Sequence, residues 1–237
     1  MFGWRGRIGL VVPSSNTTME SEFWSYVPRG VSIHSARVPL REVTPEALRA
    51  MARSAVEAAR LLATADIDIL VFGCTTGSLL EGVEWEKRLS RELEAASGAP
   101  VITTARAVVE ALRTLDVRKL VVATPYIDEL NEREKRFLED NGFEVLRIEG
   151  MGIVDNLEIG RLSPGKVYRF AKKLFVPEAE ALFLSCTNMP TFDIIDHLES
   201  DLGKPVVSSN SASLWAALRR MGVYEKLRCC GRLLRTL

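Results

Sequence analysis

The 237-residue sequence has little of several features on which common functions depend. Its charge balances, with 31 Lys and Arg against 31 Asp and Glu, so nothing favours a nucleic-acid partner or an anionic membrane. No apolar run approaches the roughly 20 residues that span a bilayer. With only two histidines, a serine-hydrolase triad or a metal centre has little support. The absence of a GxGxxG or Walker loop disfavours nucleotide binding.

Cysteine is also scarce, and its pattern does not suggest a disulfide framework. The opening segment MFGWRGRIGLVVPSSN contains an apolar run of about five residues, which is a poor secretory signal. We therefore expect a cytoplasmic protein with reduced thiols. Cys229 and Cys230 have no Cys or His partners at metal-ligand spacing, and we interpret them as structural residues.

Apolar runs alternate with amphipathic stretches along the whole chain, which is the pattern of helices covering a mostly parallel sheet. Several runs are too apolar to have a solvated face, as buried parallel strands require. The predicted strands are Ile8–Val12, Ser32–Arg37, Ile67–Phe72, Pro100–Ile102, Lys119–Ala123, Glu144–Ile148, Ala181–Leu184 and Pro205–Val207. The predicted helices are Pro45–Ala63, Gly82–Ser97, Ala105–Leu115, Ile127–Asn141, Ser163–Leu174, Phe192–Asp201 and Ser211–Met221.

Two cysteines occupy matching positions in a disguised duplication. Cys74 in FGCTTGS and Cys186 in SCTNMPT each follow an apolar run and precede a threonine, and their numbers differ by 112. The same offset relates Pro13 to Pro125. Downstream, the segments that begin at Gly98 and Gly203 also resemble each other, at an offset of 105.

This duplication predicts the architecture. We expect an α/β fold of two pseudo-symmetric lobes, each a mostly parallel sheet flanked by helices, with the active site in the cleft between them. The first lobe is predicted to span residues 1–115 and the second residues 116–237. The C-terminal helix has room to pack back on the first lobe.

Small polar residues follow every apolar run, where ligands bind in open α/β sheets. Hydroxyls, amides and backbone N–H groups at helix starts suit carboxylates, so this polar ring can hold a dicarboxylate without an arginine. The polar ring comprises residues 13–18, 73–78, 103–104, 124–126, 185–188 and 208–210.

Cys74 and Cys186 both fall in the polar ring. A thiol at a helix N-terminus has a lowered pKa, and its thiolate is the reactive species. A lone free cysteine is more often a small buried core residue. Two cysteines at equivalent points of a repeat, each followed by threonine, favour a catalytic pair.

Three further residues have both a structural and a functional interpretation. Tyr126 follows a strand end and a proline, so its hydroxyl either points into the cleft as a donor or belongs to a partly buried surface tyrosine. Asn16 ends a Ser-Ser-Asn turn, where asparagine often serves only the local backbone. For Asn156, the structural alternative is a helix cap formed by Asp155 or by Asn156 itself.

The segments RIGLVVPSSNTTMESEF, FGCTTGS and SCTNMPTFD resemble the aspartate/glutamate racemase superfamily. They resemble more closely its maleate cis–trans isomerase branch, which also includes arylmalonate decarboxylases. The resemblance covers nearly the whole chain, and PSSNTTME is its most specific piece. It implies two lobes with one cysteine from each, no cofactor, no metal and a homodimer.

The resemblance also implies roles for individual residues. It places the reactive thiols on Cys74 and Cys186 and substrate-carboxylate contacts on Asn16, Tyr126 and Asn156. The threonines beside the cysteines complete the predicted substrate-binding set; they are Thr75, Thr76 and Thr187.

The resulting hypothesis is the isomerisation of maleate to fumarate, in which Cys74 adds to the double bond and Cys186 acts as acid and base. An amino-acid racemase would use the two thiols as interchangeable acid and base. An arylmalonate decarboxylase is opposed by Cys74, because those enzymes have glycine at the first position. A non-catalytic carboxylate-binding protein would need the polar ring but not the thiols. The expected partner is a small dicarboxylate, with no nucleic acid and no membrane.

Overall fold

The computed structural model describes residues 2–227 and 230–237 and contains two four-stranded parallel sheets. The strands of the first sheet are β1 (Gly6–Pro13), β2 (Val31–Val38), β3 (Ile69–Phe72) and β4 (Val101–Thr103). Those of the second are β5 (Lys119–Thr124), β6 (Glu144–Gly150), β7 (Ala181–Leu184) and β8 (Val206–Ser208). The strand orders are β2-β1-β3-β4 and β6-β5-β7-β8, so the two sheets have the same topology.

Helices cover these sheets. In the first half they are α1 (Met19–Tyr26), α2 (Pro45–Ala63), α3 (Thr75–Leu79), α4 (Val83–Ser97) and α5 (Thr104–Thr114). In the second half they are α6 (Asp128–Asp140), α7 (Asn156–Gly160), α8 (Pro164–Leu174), α9 (Phe192–Leu202), α10 (Ser209–Arg220) and α11 (Gly231–Leu234). No helix of the described residues is long and apolar enough to cross a membrane.

All eight predicted strands and all seven predicted helices are present, with ends within two residues of the predicted ones. The strongest local signals account for this agreement. Ile69–Phe72 and Ala181–Leu184 are buried at every position, as central parallel strands must be. Thr44 caps α2 by accepting from the N–H of Ala47, with proline at the first helical position. The sequence did not reveal the short helices α1, α3, α7 and α11.

The two lobes meet through helices that the duplication relates. α5 and α10, which begin at residues 105 apart in number, pack along each other. The Ser213 hydroxyl donates to the Thr104 hydroxyl at 3.2 Å across this contact. The predicted class, two pseudo-symmetric α/β lobes, is confirmed, and the exact division at residues 115 and 116 stays a prediction. Cys229 lies outside the described residues, whereas Cys230 is buried at the start of α11.

Candidate active site

The two predicted thiols lie in one buried site. Cys74 follows β3 and precedes α3, and Cys186 follows β7, so both lie at the carboxyl ends of parallel strands. Each residue is 5% exposed. They lie close enough that negative charge on Cys186 raises the pKa of Cys74. The fold therefore joins residues that are far apart in the sequence into one pair.

Cys186 has an unusual backbone. Its φ of 142° is one that residues other than glycine rarely adopt. Its N–H donates to the Ser209 hydroxyl at 3.0 Å, and its sulfur accepts from the N–H of Asn188 at 3.3 Å. Such strain costs about 1–3 kcal/mol, persists only where the surroundings enforce it, and clusters at functional sites. These contacts hold the Cys186 sulfur in a fixed position.

Cys74 approaches the first turn of α3 closely. The backbone of Gly77 and the Thr76 hydroxyl, the latter 4.0 Å from the sulfur, both lower the pKa of Cys74. A Cβ at position 77 would lie 3.0 Å from this sulfur and 2.7 Å from the Met51 methyl. A larger residue at position 77 would therefore have to displace the Met51 methyl and press on the thiol.

Burial nevertheless dominates the acidity of both thiols. It raises the pKa of Cys74 to about 12 and that of Cys186 to about 11. The expectation that a helix N-terminus lowers these pKa values is wrong for this closed site. α3 has only five residues, and the donors around each sulfur do not offset the loss of water. Both cysteines are thus thiols near neutral pH.

Tyr126 lies in the same site rather than at the surface, since it is 2% exposed. Its phenol lies near enough to the Cys186 sulfur to lower the pKa of that thiol. Burial, followed by the charge of Cys186, raises the pKa of Tyr126 well above its ordinary value. Tyr126 therefore remains a protonated donor at any working pH.

Asn16 serves the local backbone and the cleft at once. Its Oδ1 accepts from the N–H groups of Thr18 and Met19, both at 3.0 Å. Its Nδ2 donates to the Thr187 hydroxyl at 3.1 Å, and that hydroxyl donates to the carbonyl of Gly73 at 3.1 Å. Asn16 and Thr187 thus connect the turns that carry the two cysteines.

Asn156 does not cap α7, because Asp155 takes that role. The Asp155 carboxylate accepts from the N–H groups of Leu157 and Glu158 at the start of α7. The Nδ2 of Asn156 instead donates to the Ser15 hydroxyl at 2.8 Å, across the lobes.

Two residues of the polar ring that were not singled out have central places. Ser209 hydrogen-bonds the Thr75 hydroxyl at 2.8 Å as well as the N–H of Cys186. Asn188 donates from Nδ2 to the carbonyl of Asn156 at 2.6 Å. The repeat offset of 105 pairs Thr104 with Ser209, which was the signal available for the latter. With these two residues, hydrogen bonds or pKa-shifting contacts link every predicted site residue to another residue of the polar ring.

A clasp joins the two lobes next to Asn156; it consists of residues 41–43 and 154–156. The N–H of Val43 donates to the carbonyl of Val154 at 2.8 Å, and the N–H of Asn156 donates to that of Arg41 at 2.9 Å. Glu42 and Asp155 form an antiparallel bridge between these bonds. The clasp ties Asn156 directly to the first lobe.

The turn that carries Tyr126 leaves no space for a side chain at Gly150, at the end of β6. A Cβ there would lie 2.1 Å from the carbonyl oxygen of Tyr126 and 2.6 Å from the Nδ2 of Asn131. We expect Gly150→Ala to lower the free energy of unfolding by about 1–3 kcal/mol through overpacking. Denaturant unfolding measures it. The control is Gly165→Ala in α8, where the Cβ would meet only the Arg169 guanidinium at 3.4 Å. Equal stability of the two variants would contradict this packing.

Known proteins are similar to this chain over nearly its full length. A profile of the arylmalonate decarboxylase family matches residues 8–234. The maleate isomerase of Geobacillus stearothermophilus is 31% identical over 242 residues, which cover 96% of this chain and 96% of the relative.

Two solved structures are similar to the whole molecule. A cysteine-to-alanine variant of the maleate isomerase Iso from Pseudomonas putida S16, crystallised with maleate, has a TM-score of 0.94 at 26% identity and covers 98% of both chains. A cysteine-to-serine variant of the Nocardia farcinica maleate cis–trans isomerase has a TM-score of 0.93 at 30% identity. It covers 97% of this chain and 98% of its own, and holds a covalently bound succinylcysteine intermediate.

Proposed function

Since this chain belongs to the arylmalonate decarboxylase family, we propose that it isomerises maleate to fumarate with its two cysteines. The maleate isomerases among its relatives make it an enzyme of the isomerase class. The observation that carries the proposal is the buried pair of Cys74 and Cys186, because a decarboxylase with glycine at the first position would lack one of the two thiols.

The double bond of maleate does not rotate, so the enzyme must remove its double-bond character for a time. In the proposed first step the Cys74 thiol passes its proton to a carboxylate oxygen of the bound maleate while its sulfur bonds to one alkene carbon, and the sulfur recovers that proton when fumarate leaves. The π electrons move toward the other alkene carbon and its carboxylate as an enolate. One step with a high barrier, rotation about the double bond, is thereby replaced by two steps with lower barriers, addition and elimination.

Cys186 supplies the proton that completes the adduct. Its thiol protonates the enolate carbon and gives a succinyl group bonded to Cys74. The carbon–carbon bond is then single and rotates. The Cys186 thiolate takes a proton back from the same carbon, the bond to Cys74 breaks, and fumarate leaves. Both thiols return to their starting states, so no other reactant is consumed.

The polar lining is proposed to hold the two carboxylates. Amides of Asn16 and Asn156 and the hydroxyl of Tyr126 can donate to carboxylate oxygens, as can the hydroxyls of Thr75 and Thr76. The Thr187 hydroxyl can do so once it turns away from the carbonyl of Gly73. These donors are buried, so their dipoles act with little screening by water and are already oriented when charge develops on the enolate.

The surroundings of the two thiols favour isomerisation over racemisation. A racemase exchanges acid and base roles between its two thiols and gains from equivalent environments. Here Cys186 has a strained φ of 142° and a phenol partner, whereas Cys74 has a helix turn and the Thr76 hydroxyl. Unequal environments suit one nucleophile and one acid.

Incubation with candidate substrates tests the proposal. We expect NMR to show the conversion of maleate to fumarate and no interconversion of L- and D-aspartate or of L- and D-glutamate. Racemisation without fumarate would contradict the proposal and favour the racemase, and carbon dioxide release from an arylmalonate would favour the decarboxylase. Binding of maleate without turnover would favour a carboxylate-binding protein. A homodimer and a cytoplasmic location remain predictions.

A further inference from the structure

A buried glutamate outside the proposed site lies next to Cys186. Glu134 on α6 is 0% exposed, and neither of its carboxylate oxygens has a hydrogen-bond partner among the described residues. The Ser185 hydroxyl, directly before Cys186 in the chain, is also buried and without a partner there. It lies near enough to lower the pKa of Glu134 without meeting the geometry of a full hydrogen bond. A buried polar group left unsatisfied calls for an explanation.

The orientation of α6 is fixed by the residue one turn earlier. The Thr124 hydroxyl, at the end of β5, donates to Oδ1 of Asn131 at 2.6 Å. The same hydroxyl accepts from the N–H of Tyr126 at 3.1 Å. Because residues three apart share a helix face, Glu134 lies on the side of α6 that supports Tyr126 and Cys186.

The duplication supplies a natural comparison for Glu134. Glu22 on α1 differs from it by 112 in number, which is the offset between the two cysteines. Glu22 is fully engaged: it accepts from the N–H groups of Thr191 and Phe192 at 2.7 and 3.0 Å and from Nδ2 of Asn210 at 2.7 Å. The two equivalent carboxyls thus differ. Glu22 accepts hydrogen bonds from the other lobe, whereas Glu134 is buried without a hydrogen-bond partner among the described residues.

Charge on Glu134 acts on the neighbouring acid groups. A carboxylate there raises the pKa of Cys186 and that of Tyr126. It opposes three donors that lower the pKa of Cys186; these are the Tyr126 phenol and the backbone N–H groups of Asn188 and Met189. Burial raises the pKa of Glu134 itself to about 7, so its charge changes near neutral pH.

Several charged side chains of α6, β5 and β6 pair with groups other than Glu134. Arg133 donates to the carbonyl of Leu80 and to Glu129. On β6, Arg147 pairs with Glu149, and Glu144 pairs with Lys119 of β5. α3 contributes no charged side chain, and the thiol of Cys74 precedes it. Among the described residues, the groups whose pKa Glu134 is seen to raise are Cys186 and Tyr126.

We propose that Glu134 is a positioning residue whose carboxylate holds the proton on Cys186. This role rests on the proposed function, in which Cys186 is the acid that completes the adduct. Burial already keeps Cys186 protonated near neutral pH, and the charge on Glu134 adds to that effect. The same charge makes the transient Cys186 thiolate a stronger base when it takes the proton back from carbon.

Alkylation of Cys186 tests the proposal without using maleate, so its outcome is independent of the isomerase activity. In a Cys74→Ala background, iodoacetamide labelling of the Cys186 peptide is followed by mass spectrometry from pH 6 to 9. Adding Glu134→Gln is expected to lower the pKa of Cys186 and to speed labelling severalfold at pH 8.5.

The dependence of the labelling rate on pH separates an effect of the Glu134 charge from an effect of altered packing. With Glu134 present, the labelling rate should climb less than tenfold per pH unit around pH 7, because Glu134 ionises there and raises the pKa of Cys186. In Glu134→Gln it should climb about tenfold per unit. Glu22→Gln is the matched control and should keep the shallower slope. Equal slopes in parent and Glu134→Gln, or the same change in Glu22→Gln, would overturn the proposal.

Glu134→Asp covers the case in which the glutamine variant does not fold. The aspartate keeps the negative charge, but its side chain is one methylene shorter, so the charge lies farther from Cys186. Labelling should therefore accelerate by a smaller factor, while the labelling rate should still climb less than tenfold per pH unit near pH 7. Loss of this shallower climb in the aspartate variant would also contradict the proposal.

Discussion

Replacing Cys74 by alanine is expected to lower kcat for fumarate formation by on the order of 10³-fold or more, because it removes the group that bonds to the alkene. Maleate binding should persist, since the amides and hydroxyls of the polar lining remain. NMR measures the turnover, and calorimetry measures the dissociation constant. Loss of kcat with a nearly unchanged dissociation constant is the signature of a nucleophile.

Cys230→Ala is the matched control for this variant. Cys230 is also a buried cysteine, but it lies at the start of α11 and its N–H donates to Asp196 at 3.1 Å. We expect it to keep the parental kcat. If Cys74→Ala retained more than a tenth of the activity, or if both variants lost it alike, Cys74 would not be the nucleophile.

Cys186→Ser is expected to lower kcat by about 10²–10⁴-fold, the usual contribution of a positioned acid and base. A serine hydroxyl gives up and takes back a proton far less readily than a thiol. The bonding of Cys74 to the alkene needs no proton from residue 186, and water can protonate the enolate in its place. The adduct should therefore still form, whereas completion of the cycle slows because no thiolate takes the proton back. Covalent enzyme should therefore accumulate when maleate is present.

A racemase gives a different pattern in the same experiment. Its two thiols act on opposite faces of one carbon without bonding to it, so no covalent product forms in either variant. If Cys186→Ser kept the parental kcat, the proposed role of Cys186 as acid and base would be contradicted.

Most of the fold could be predicted because the sequence patterns that specify strands and long helices are local. Continuous apolar runs such as Ile69–Phe72 have only one stable placement, between helices in a parallel sheet. The constant offset between Cys74 and Cys186 then related the two halves. Short helices lack such signals: α3 and α7 have five residues each, less than two turns, so no apolar periodicity develops.

The candidate site could be predicted as a set of residues but not as a network. Position at strand ends identified Cys74, Cys186 and Tyr126, because parallel strands gather those ends on one side. The bond from Asn16 to Thr187 joins opposite lobes and depends on how the lobes pack.

The pKa values of the two cysteines could also not be predicted from the sequence. The pKa of about 12 for Cys74 comes from burial, which no local pattern reports. Glu134 resembles an ordinary charged residue of a surface helix, and only the structure places it beneath Cys186.

Peptide mapping of Cys186→Ser after incubation with maleate tests the central claim most directly. The denatured protein is digested, and the modified residue is located by tandem mass spectrometry. We predict that the peptide containing Cys74 gains the mass of one maleic acid molecule, bonded as a succinyl group to the sulfur, and that Cys74→Ala abolishes this gain. An adduct on any other residue, or parental turnover with no adduct, would contradict covalent isomerisation by Cys74.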